Sequence, residues 1–90
     1  MNYLHNEVYL TTDDVVTVSI DDAANVRLFD TVNYTRFRKG SANCDCIGGR
    51  AERSPVRLSP SYNGIWHIVV DLGGKSGEVK ASIEVVRKGK

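Results

Sequence analysis

The stretch Gly64-Ile65-Trp66-His67-Ile68-Val69-Val70-Asp71-Leu72 decides the fold class. Every second side chain from Trp66 to Leu72 is large and apolar, and the intervening face carries His67 and Asp71. A period of two residues is typical of a β-strand with one face in a core. The stretch therefore predicts a strand whose Trp66 side is buried.

A second alternating run follows in residues 78–86. Its apolar side chains (Val79, Ala81, Ile83, Val85) alternate with polar ones (Glu78, Lys80, Ser82, Glu84). This pattern suits the outer strand of an antiparallel sheet with one solvated face. Residues 73–77 between the two runs are rich in glycine, so residues 64–86 are predicted to form a β-hairpin.

The first third of the chain contains three further strand candidates, at residues 3–10, 15–20 and 25–30. Polar turn residues separate them at 11–14 and 21–22. The first candidate places leucine and valine side chains inward and a chemically rich set outward, namely Tyr3, His5, Glu7 and Tyr9.

Residues 31–54 break the alternating pattern, because no run of period two survives and glycines interrupt any longer element. We interpret this segment as a functional loop or a covering flap. Within it, residues 32–40 predict a short helix with Thr31 or Asn33 as its cap and Gly40 at its end.

Residues 56–58 form a short extended piece between Pro55 and Pro60. Proline cannot donate to a strand ladder, so this piece is predicted at a sheet edge. Taken together, the runs predict one all-β domain over residues 1–90. Its expected architecture is an antiparallel β-sandwich of roughly seven strands, jelly-roll-like, with one short helix in the 31–54 crossover.

Charge and length limit the classes of partner. The 90 residues carry 12 lysines and arginines against 11 acids, a net charge of +1. So small a charge argues against a nucleic-acid or anionic-membrane function. No apolar run approaches the roughly 20 residues that span a bilayer, and the N-terminus lacks the pattern of a signal peptide. We expect a cytoplasmic protein.

Gly73-Gly74-Lys75-Ser76 resembles the end of a phosphate-binding P-loop. The first glycine of that motif should stand at position 69, which is Val69, and a strand follows where the motif needs a helix. The segment is therefore interpreted as a turn.

Two cysteines and two histidines offer potential metal ligands. Cys44 and Cys46 are too close in sequence for an unstrained disulfide and are interpreted as reduced thiols. With His5 and His67 they make a four-ligand site arithmetically feasible, although the spacing matches no known zinc finger. A metal-binding protein or an enzyme built on these residues is one alternative; the leading hypothesis includes no metal, cofactor or catalytic residue.

Basic and aromatic residues concentrate in the 31–54 segment. Four arginines (Arg36, Arg38, Arg50, Arg53) and Tyr34 would suit an anionic group through charge and stacking. The plainer alternative is that Tyr34 and Phe37 plug the open end of the sandwich, while the basic residues balance the acidic first third.

Several short stretches are similar to one known family. They include Asn25-Val26-Arg27-Leu28, Asn33-Tyr34, Phe37-Arg38-Lys39-Gly40, Gly48-Gly49, Arg53-Ser54-Pro55-Val56-Arg57-Leu58, Trp66-His67 and Val70-Asp71-Leu72-Gly73-Gly74. Together they resemble the bacterial domain-of-unknown-function family 1883 over nearly the whole chain. The resemblance implies a compact β-sandwich found in small bacterial proteins and sometimes joined to a Toll/interleukin-1 receptor-type domain. It implies no catalytic residues.

The first functional hypothesis is a non-catalytic recognition module that binds an anionic ligand or a protein partner. Its expected binding residues are Tyr34, Arg36, Arg38, Arg50 and Arg53. Beside the metal or enzyme alternative stands a third, a structural module whose exposed strand edge pairs with a copy of itself.

Overall fold

The computed structural model describes residues 2–75 and 77–87. Along the chain these residues form β1 (Tyr3–Leu10), β2 (Val15–Ile20), β3 (Ala24–Asp30), α1 (Thr31–Arg38), β4 (Ile47–Ala51), β5 (Val56–Leu58), β6 (Gly64–Asp71) and β7 (Ala81–Val86). One sheet has four strands in the order β1-β6-β3-β4, and the other has three in the order β5-β2-β7. Every pairing is antiparallel. The all-β sandwich with one short helix is confirmed, and the jelly-roll-like arrangement stays a prediction.

The core lies between the two sheets. Its buried side chains come from the four strands β1, β2, β3 and β6 and are mostly valine, leucine and isoleucine, namely Leu10, Val16, Val18, Ala24, Val26, Leu28, Trp66, Ile68 and Val70. Trp66 is 3% exposed, and its indole Nε1 donates a hydrogen bond to the Tyr62 carbonyl at 2.9 Å. The predicted burial of the Trp66 face is confirmed.

The predicted hairpin of residues 64–86 is wrong. Both arms are strands, but β6 belongs to the four-stranded sheet and β7 to the three-stranded sheet, where it pairs with β2. Gly73 and Gly74 do form a turn, closed by a hydrogen bond from the Lys75 amide to the Leu72 carbonyl, while Ser76 lies outside the described residues. Alternation reveals which face of a strand is buried but not which strand lies beside it.

The second face of β6 is also buried, contrary to the expected solvated face. Every residue from Trp66 to Asp71 is buried. The reason is that α1 and its following loop cover the outer side of the four-stranded sheet, where Phe29, Tyr34 and Val69 form a second apolar cluster.

The segment 31–54 contains a strand, β4, that the alternating pattern did not reveal. Its sequence begins Ile47-Gly48-Gly49, which has no side-chain alternation. Gly48 adopts a φ of +98°, and a Cβ there would lie 2.4 Å from the Val26 carbonyl oxygen. Glycine is required at this point because β4 passes so close to β3.

The predicted helix is confirmed as α1, with a different cap. The Asp30 carboxylate, rather than Thr31 or Asn33, accepts the Asn33 amide at 2.8 Å. The helix ends at Arg38 with Lys39 as its C-cap, and Gly40, which has a φ of +85°, follows as the predicted stop. The sequence predicts Asp30 as the last residue of the preceding strand, and β3 does end at Asp30 and continues directly into α1.

The edge position predicted for residues 56–58 is confirmed, since β5 is the outer strand of its sheet. β7 is the other outer strand, and its residues alternate between half-buried and exposed as expected. In the described part of the chain, no helix has the length and apolar content needed to cross a bilayer.

Candidate functional site

The outer face of the four-stranded sheet carries polar and charged side chains from all four of its strands. Directly opposite residues on paired strands share a face. The register places Asp71 between Tyr3 and Asn25, and places Arg50 on the far side of Asn25. In the next rows, His5, Val69 and Arg27 lie in line, followed by Glu7, His67 and Phe29. Residues far apart in sequence are thereby collected on one surface.

Helix α1 lies across this surface and divides it. Tyr34 and Phe37 point from the helix to the sheet, and the Phe37 ring stacks on Phe29 with centroids 5.0 Å apart. Tyr3 contacts the edge of Phe37 at 5.3 Å. The aromatic contacts fix the helix, leaving a charged cluster on one side and a histidine network on the other.

The charged cluster is built around Asp71, which is fully buried. Its Oδ2 atom accepts from Arg27 Nη2 in an ion pair. Its Oδ1 atom accepts from Asn25 Nδ2 at 3.0 Å and from the Gly73 amide at 2.8 Å. Both carboxylate oxygens are therefore occupied, which is how a protein keeps a buried charge stable.

Arg27 is held by Asp71 on one edge and by aromatic rings on its face. Its guanidinium carbon lies 4.9 Å from the Phe37 ring centroid and 5.7 Å from that of Phe29. Its side chain is 22% exposed. The buried Nε atom has no hydrogen-bond partner in the described part of the chain. The guanidinium is thus fixed in position by Asp71 and the two rings.

An open groove of ≈ 570 Å³ lies over this cluster. Pockets for small ligands span roughly 300–1,000 Å³, so the groove is of suitable size. Its floor is formed by Asn25, Arg27 and Asp71, and its walls by the end of α1 with the following loop and by the turn after β6; the wall residues are Phe37, Gly40, Ser41, Ala42, Cys44, Gly73 and Gly74.

On the other side of Tyr34, five side chains form a continuous hydrogen-bonded network. Tyr3 Oη lies 3.1 Å from Tyr34 Oη, which lies 3.2 Å from His5 Nδ1. His5 Nε2 lies 2.9 Å from His67 Nδ1, and His67 Nε2 lies 3.0 Å from Thr31 Oγ1. The hydrogen bonds can all be donated in one direction, from Tyr3 towards Thr31 or the reverse. Either arrangement satisfies every contact when each imidazole has a single N–H.

Burial shifts the pKa values of two residues in the network, His67 and Tyr34. The Tyr34 ring lies nearly parallel to both imidazoles, with centroids 4.2 and 4.4 Å away. Burial, together with the neighbouring His5, lowers the pKa of His67 below its usual 6.5. Burial and the hydrogen bond with Tyr3 raise the pKa of Tyr34 to about 12. The neutral forms of His67 and Tyr34 are therefore favoured at pH 7.

The five residues predicted to bind a ligand do not converge. Tyr34 is buried under the helix. Arg36 and Arg38 are exposed two positions apart on α1, hence on roughly opposite sides of it. Arg50 lies on the outer face beside Glu52, with Nε 3.5 Å from the carboxylate, and Arg53 is exposed just after β4. None of the five lines the groove, and their role in binding stays a prediction.

The proposed metal ligands are brought together only in part. His5 and His67 contact each other, whereas Cys44 lines the groove and Cys46 is exposed. Both thiols are free, and among residues 2–75 and 77–87 no group of three or more His, Cys, Asp or Glu side chains is arranged to hold a metal ion.

Sequence reasoning did not single out the groove residues Asn25, Arg27 and Asp71. A signal was present, because all three are polar residues at alternate positions of strands that are otherwise strongly apolar. Opposite charges at such positions in two strands indicate a paired buried cluster. What the pattern lacked was the pairing of β3 with β6, which only the fold supplies.

The comparisons with known proteins agree with the resemblance described above. The family model for Domain of unknown function (DUF1883) matches residues 1–89 of the 90 residues. No curated protein and no solved structure matches the chain. Since the family match covers almost the whole length, the chain belongs to the DUF1883 family.

Proposed function

We propose that this chain is a non-catalytic recognition module and that the groove over Arg27 binds an anionic group, carried by a small ligand or presented by a protein partner. The observation that supports this most strongly is the Arg27 side chain, which lines the groove floor, is 22% exposed and is fixed there by its ion pair with Asp71.

The guanidinium is preorganised for an anion. Arginine presents five N–H donors in a planar fork that matches carboxylate and phosphate oxygens. Asp71 and Phe37 already hold this fork in one orientation, so binding immobilises no further side chain at this point. The Asp71 carboxylate opposes a second anion, but its oxygens are occupied by Arg27, Asn25 and Gly73 and do not compete for the ligand's own contacts.

Basic residues next to the walls offset the charge of Asp71. Lys39 and Lys75 are exposed neighbours of the wall glycines Gly40 and Gly74, and Arg50 lies opposite Asn25. Such charges at the mouth of a groove raise the local concentration of anions and speed their association. In this proposal Arg36, Arg38 and Arg53 contribute to the same field without lining the groove.

Binding is favoured over catalysis by the composition of the groove. Neither histidine lines it, and the wall thiol of Cys44 has its one hydrogen bond, to the Ser41 carbonyl, within the described residues. Nucleophiles are activated by an adjacent base, a lowered pKa or a metal ion, and among the described residues the Cys44 thiol forms no hydrogen bond to a base.

The test is a titration of the full chain with sodium phosphate and sodium acetate, read from backbone amide NMR shifts, with sodium chloride at matched ionic strength as reference. We expect residues 40–44 and 73–75 to shift with phosphate or acetate. Arg27→Lys keeps the charge opposite Asp71 but lacks the fork, so it should weaken binding about tenfold, an energy of about 1.4 kcal/mol. Arg57→Lys, an exposed change on β5, should leave binding unchanged.

Chemical-shift changes in chloride equal to those in phosphate or acetate would contradict anion binding in the groove. Binding by the Arg27→Lys variant as tight as that of the unmodified chain would do the same. The double variant Arg36→Ala/Arg38→Ala examines the helix arginines separately. If that pair abolished binding while Arg27→Lys did not, the anionic group would bind at the exposed side of α1 instead.

A metal-binding or enzymatic role is the second candidate, and the His5–His67 contact favours it. An exposed imidazole hydrogen-bonded to a buried one is able to move a proton. Elemental analysis of protein purified without chelators distinguishes the candidates: a stoichiometric metal lost in His5→Gln or His67→Gln supports this role, and metal-free protein that still binds anions supports the groove.

We also propose that the module works in the bacterial cytoplasm. The free thiols of Cys44 and Cys46 suit a reducing compartment, and the family resemblance implies bacterial proteins, some of them joined to Toll/interleukin-1 receptor-type signalling domains. Fractionation of the host cell checks this, and recovery in a secreted fraction would contradict it.

A further inference from the structure

β1 is a long edge strand. It has eight residues, Tyr3–Leu10, and its only strand partner among the described residues is β6. Two other edges are protected, since β5 has three residues flanked by prolines and β4 is interrupted by Gly48 and Gly49. Proteins avoid edge pairing with proline, lysine, glycine bulges or short strands, and β1 contains no such residue.

We propose that β1 pairs antiparallel with β1 of a second copy of this chain, about a two-fold axis at Asn6. The two four-stranded sheets would then become one continuous eight-stranded sheet across the dimer. Both α1 helices and both grooves would lie on the same face of that sheet.

The sequence of β1 is self-complementary about Asn6. An antiparallel pair centred there places the His5 imidazole opposite the Glu7 carboxylate of the second copy, and the two-fold axis creates this polar pair twice. The same register places Tyr3 opposite Tyr9 on the outer face and Leu4 opposite Val8 on the inner face. Polar, aromatic and apolar side chains thus each meet a partner of the same kind.

Neighbouring registers lack this match. If the axis passes through His5 instead, the two His5 side chains lie opposite each other. If it passes through Glu7, the two Glu7 carboxylates do. If the axis falls between two residues, each outward-facing side chain is paired with an inward-facing one, so the polar and apolar faces of the two copies no longer coincide. The register at Asn6 is the one that satisfies both faces.

The exposed side chains of β1 are available for this pairing. His5, Asn6 and Glu7 are exposed, and Tyr9 is 51% exposed although it is large and apolar. Arg87 contacts the Tyr9 carbonyl at 3.3 Å, at the far end of the strand. Because a carbonyl oxygen accepts two hydrogen bonds, this contact is compatible with pairing over the central residues.

The other free edge offers no comparable match. β7 centred on Ile83 would place Ser82 opposite Glu84, and β7 centred on Glu84 would place two carboxylates opposite each other. Like charges directly opposite destabilise a strand pair. We therefore assign the second copy to β1.

The test is disulfide trapping in a Cys44→Ser/Cys46→Ser background. Asn6 lies on the axis, where opposite Cα atoms are about 4.5–5.5 Å apart, within the range of a disulfide. Asn6→Cys should therefore form a covalent dimer rapidly under mild oxidation. Asn2→Cys is the matched control, because four residues on each side of the axis separate its two copies by roughly 26 Å.

Sedimentation velocity supplies the second measurement. The unmodified chain should shift from monomer to dimer with rising concentration. Glu7→Lys should weaken the dimer about tenfold, because an ammonium group replaces the carboxylate opposite each His5 imidazole. The combined His5→Glu/Glu7→Lys variant places a carboxylate opposite an ammonium group and should restore association.

A chain that stays monomeric up to millimolar concentration would overturn the proposal. So would a dimer in which Asn6→Cys cross-links no faster than Asn2→Cys, because that dimer would use another surface. Circular dichroism of each variant confirms that a loss of association is not a loss of folding.

Discussion

Arg27 and Asp71 show how two residues on neighbouring strands create both a stable core position and a potential binding site. Asp71 is fully buried and has three hydrogen-bond donors around it. Arg27 neutralises it and lines the groove. On the other side of Tyr34, the buried His67 has the contrasting role of a group kept neutral.

Breaking the Arg27–Asp71 pair should destabilise the fold strongly. Asp71→Asn leaves the guanidinium without its counterion, and we expect a loss of about 3 kcal/mol in the free energy of unfolding, measured by urea denaturation at neutral pH. Glu52→Gln breaks the Arg50–Glu52 pair, whose side chains are 48% and 73% exposed, and should cost less than about 1 kcal/mol. Similar losses in the two variants would show that burial does not distinguish the pairs.

The His67 imidazole should make stability depend on pH. Because its folded-state pKa is below the ordinary 6.5, the unfolded chain binds more protons at this residue as the pH falls. The free energy of unfolding should therefore be highest above about pH 6.5 and decline below it. His67→Gln should flatten this decline below about pH 6.5. An unchanged slope in the variant would contradict the assignment.

At the scale of elements, α1 determines which part of the sheet is accessible. The helix has eight residues and depends on its cap and its aromatic contacts, because so short a helix is unstable alone. Tyr34 and Phe37 were candidates either for ligand stacking or for plugging the sandwich, and the structure places both against the sheet. The helix could be predicted from its polar start and Gly40, whereas its position over β6 could not, because that depends on the sheet order.

Removing the cap of α1 should weaken the whole fold by a modest amount. The Asp30 carboxylate accepts the Asn33 amide at 2.8 Å and the Tyr62 hydroxyl at 2.9 Å. Asp30→Ala should therefore cost about 1–2 kcal/mol, measured by urea denaturation. Asp45→Ala removes a nearby exposed carboxylate and is the matched control, with an expected change below about 0.5 kcal/mol. Equal effects would mean that Asp30 does not act as a cap.

At the scale of the whole molecule, the sequence predicts which side of each strand is buried better than it predicts which strands pair. Alternation in residues 3–10, 15–20 and 64–71 identified strands and their buried faces, because the side-chain period is a local property. It did not identify β4, whose glycines carry no alternation, and it paired β6 with β7 when they lie in different sheets. The groove escaped prediction for the same reason, since Arg27 and Asp71 meet only through long-range pairing.

The sheet order also predicts where the molecule is most stable. β6 lies between β1 and β3 and is buried on both faces, so its amides should exchange with deuterium most slowly. Amides of the edge strands β5 and β7 should exchange faster. Hydrogen exchange followed by NMR measures this order, and slow exchange in β7 with fast exchange in β6 would contradict the fold.

The central claim is that the Arg27 guanidinium binds an anionic group in the groove. The most direct measurement is the NMR signal of its Nε–H, assigned by its loss in Arg27→Lys, during titration with sodium phosphate against sodium chloride at equal ionic strength. We expect this signal to move and to saturate with phosphate while that of Arg57 stays in place. Parallel movement of both signals, or no movement at Arg27 with either phosphate or acetate, would contradict it.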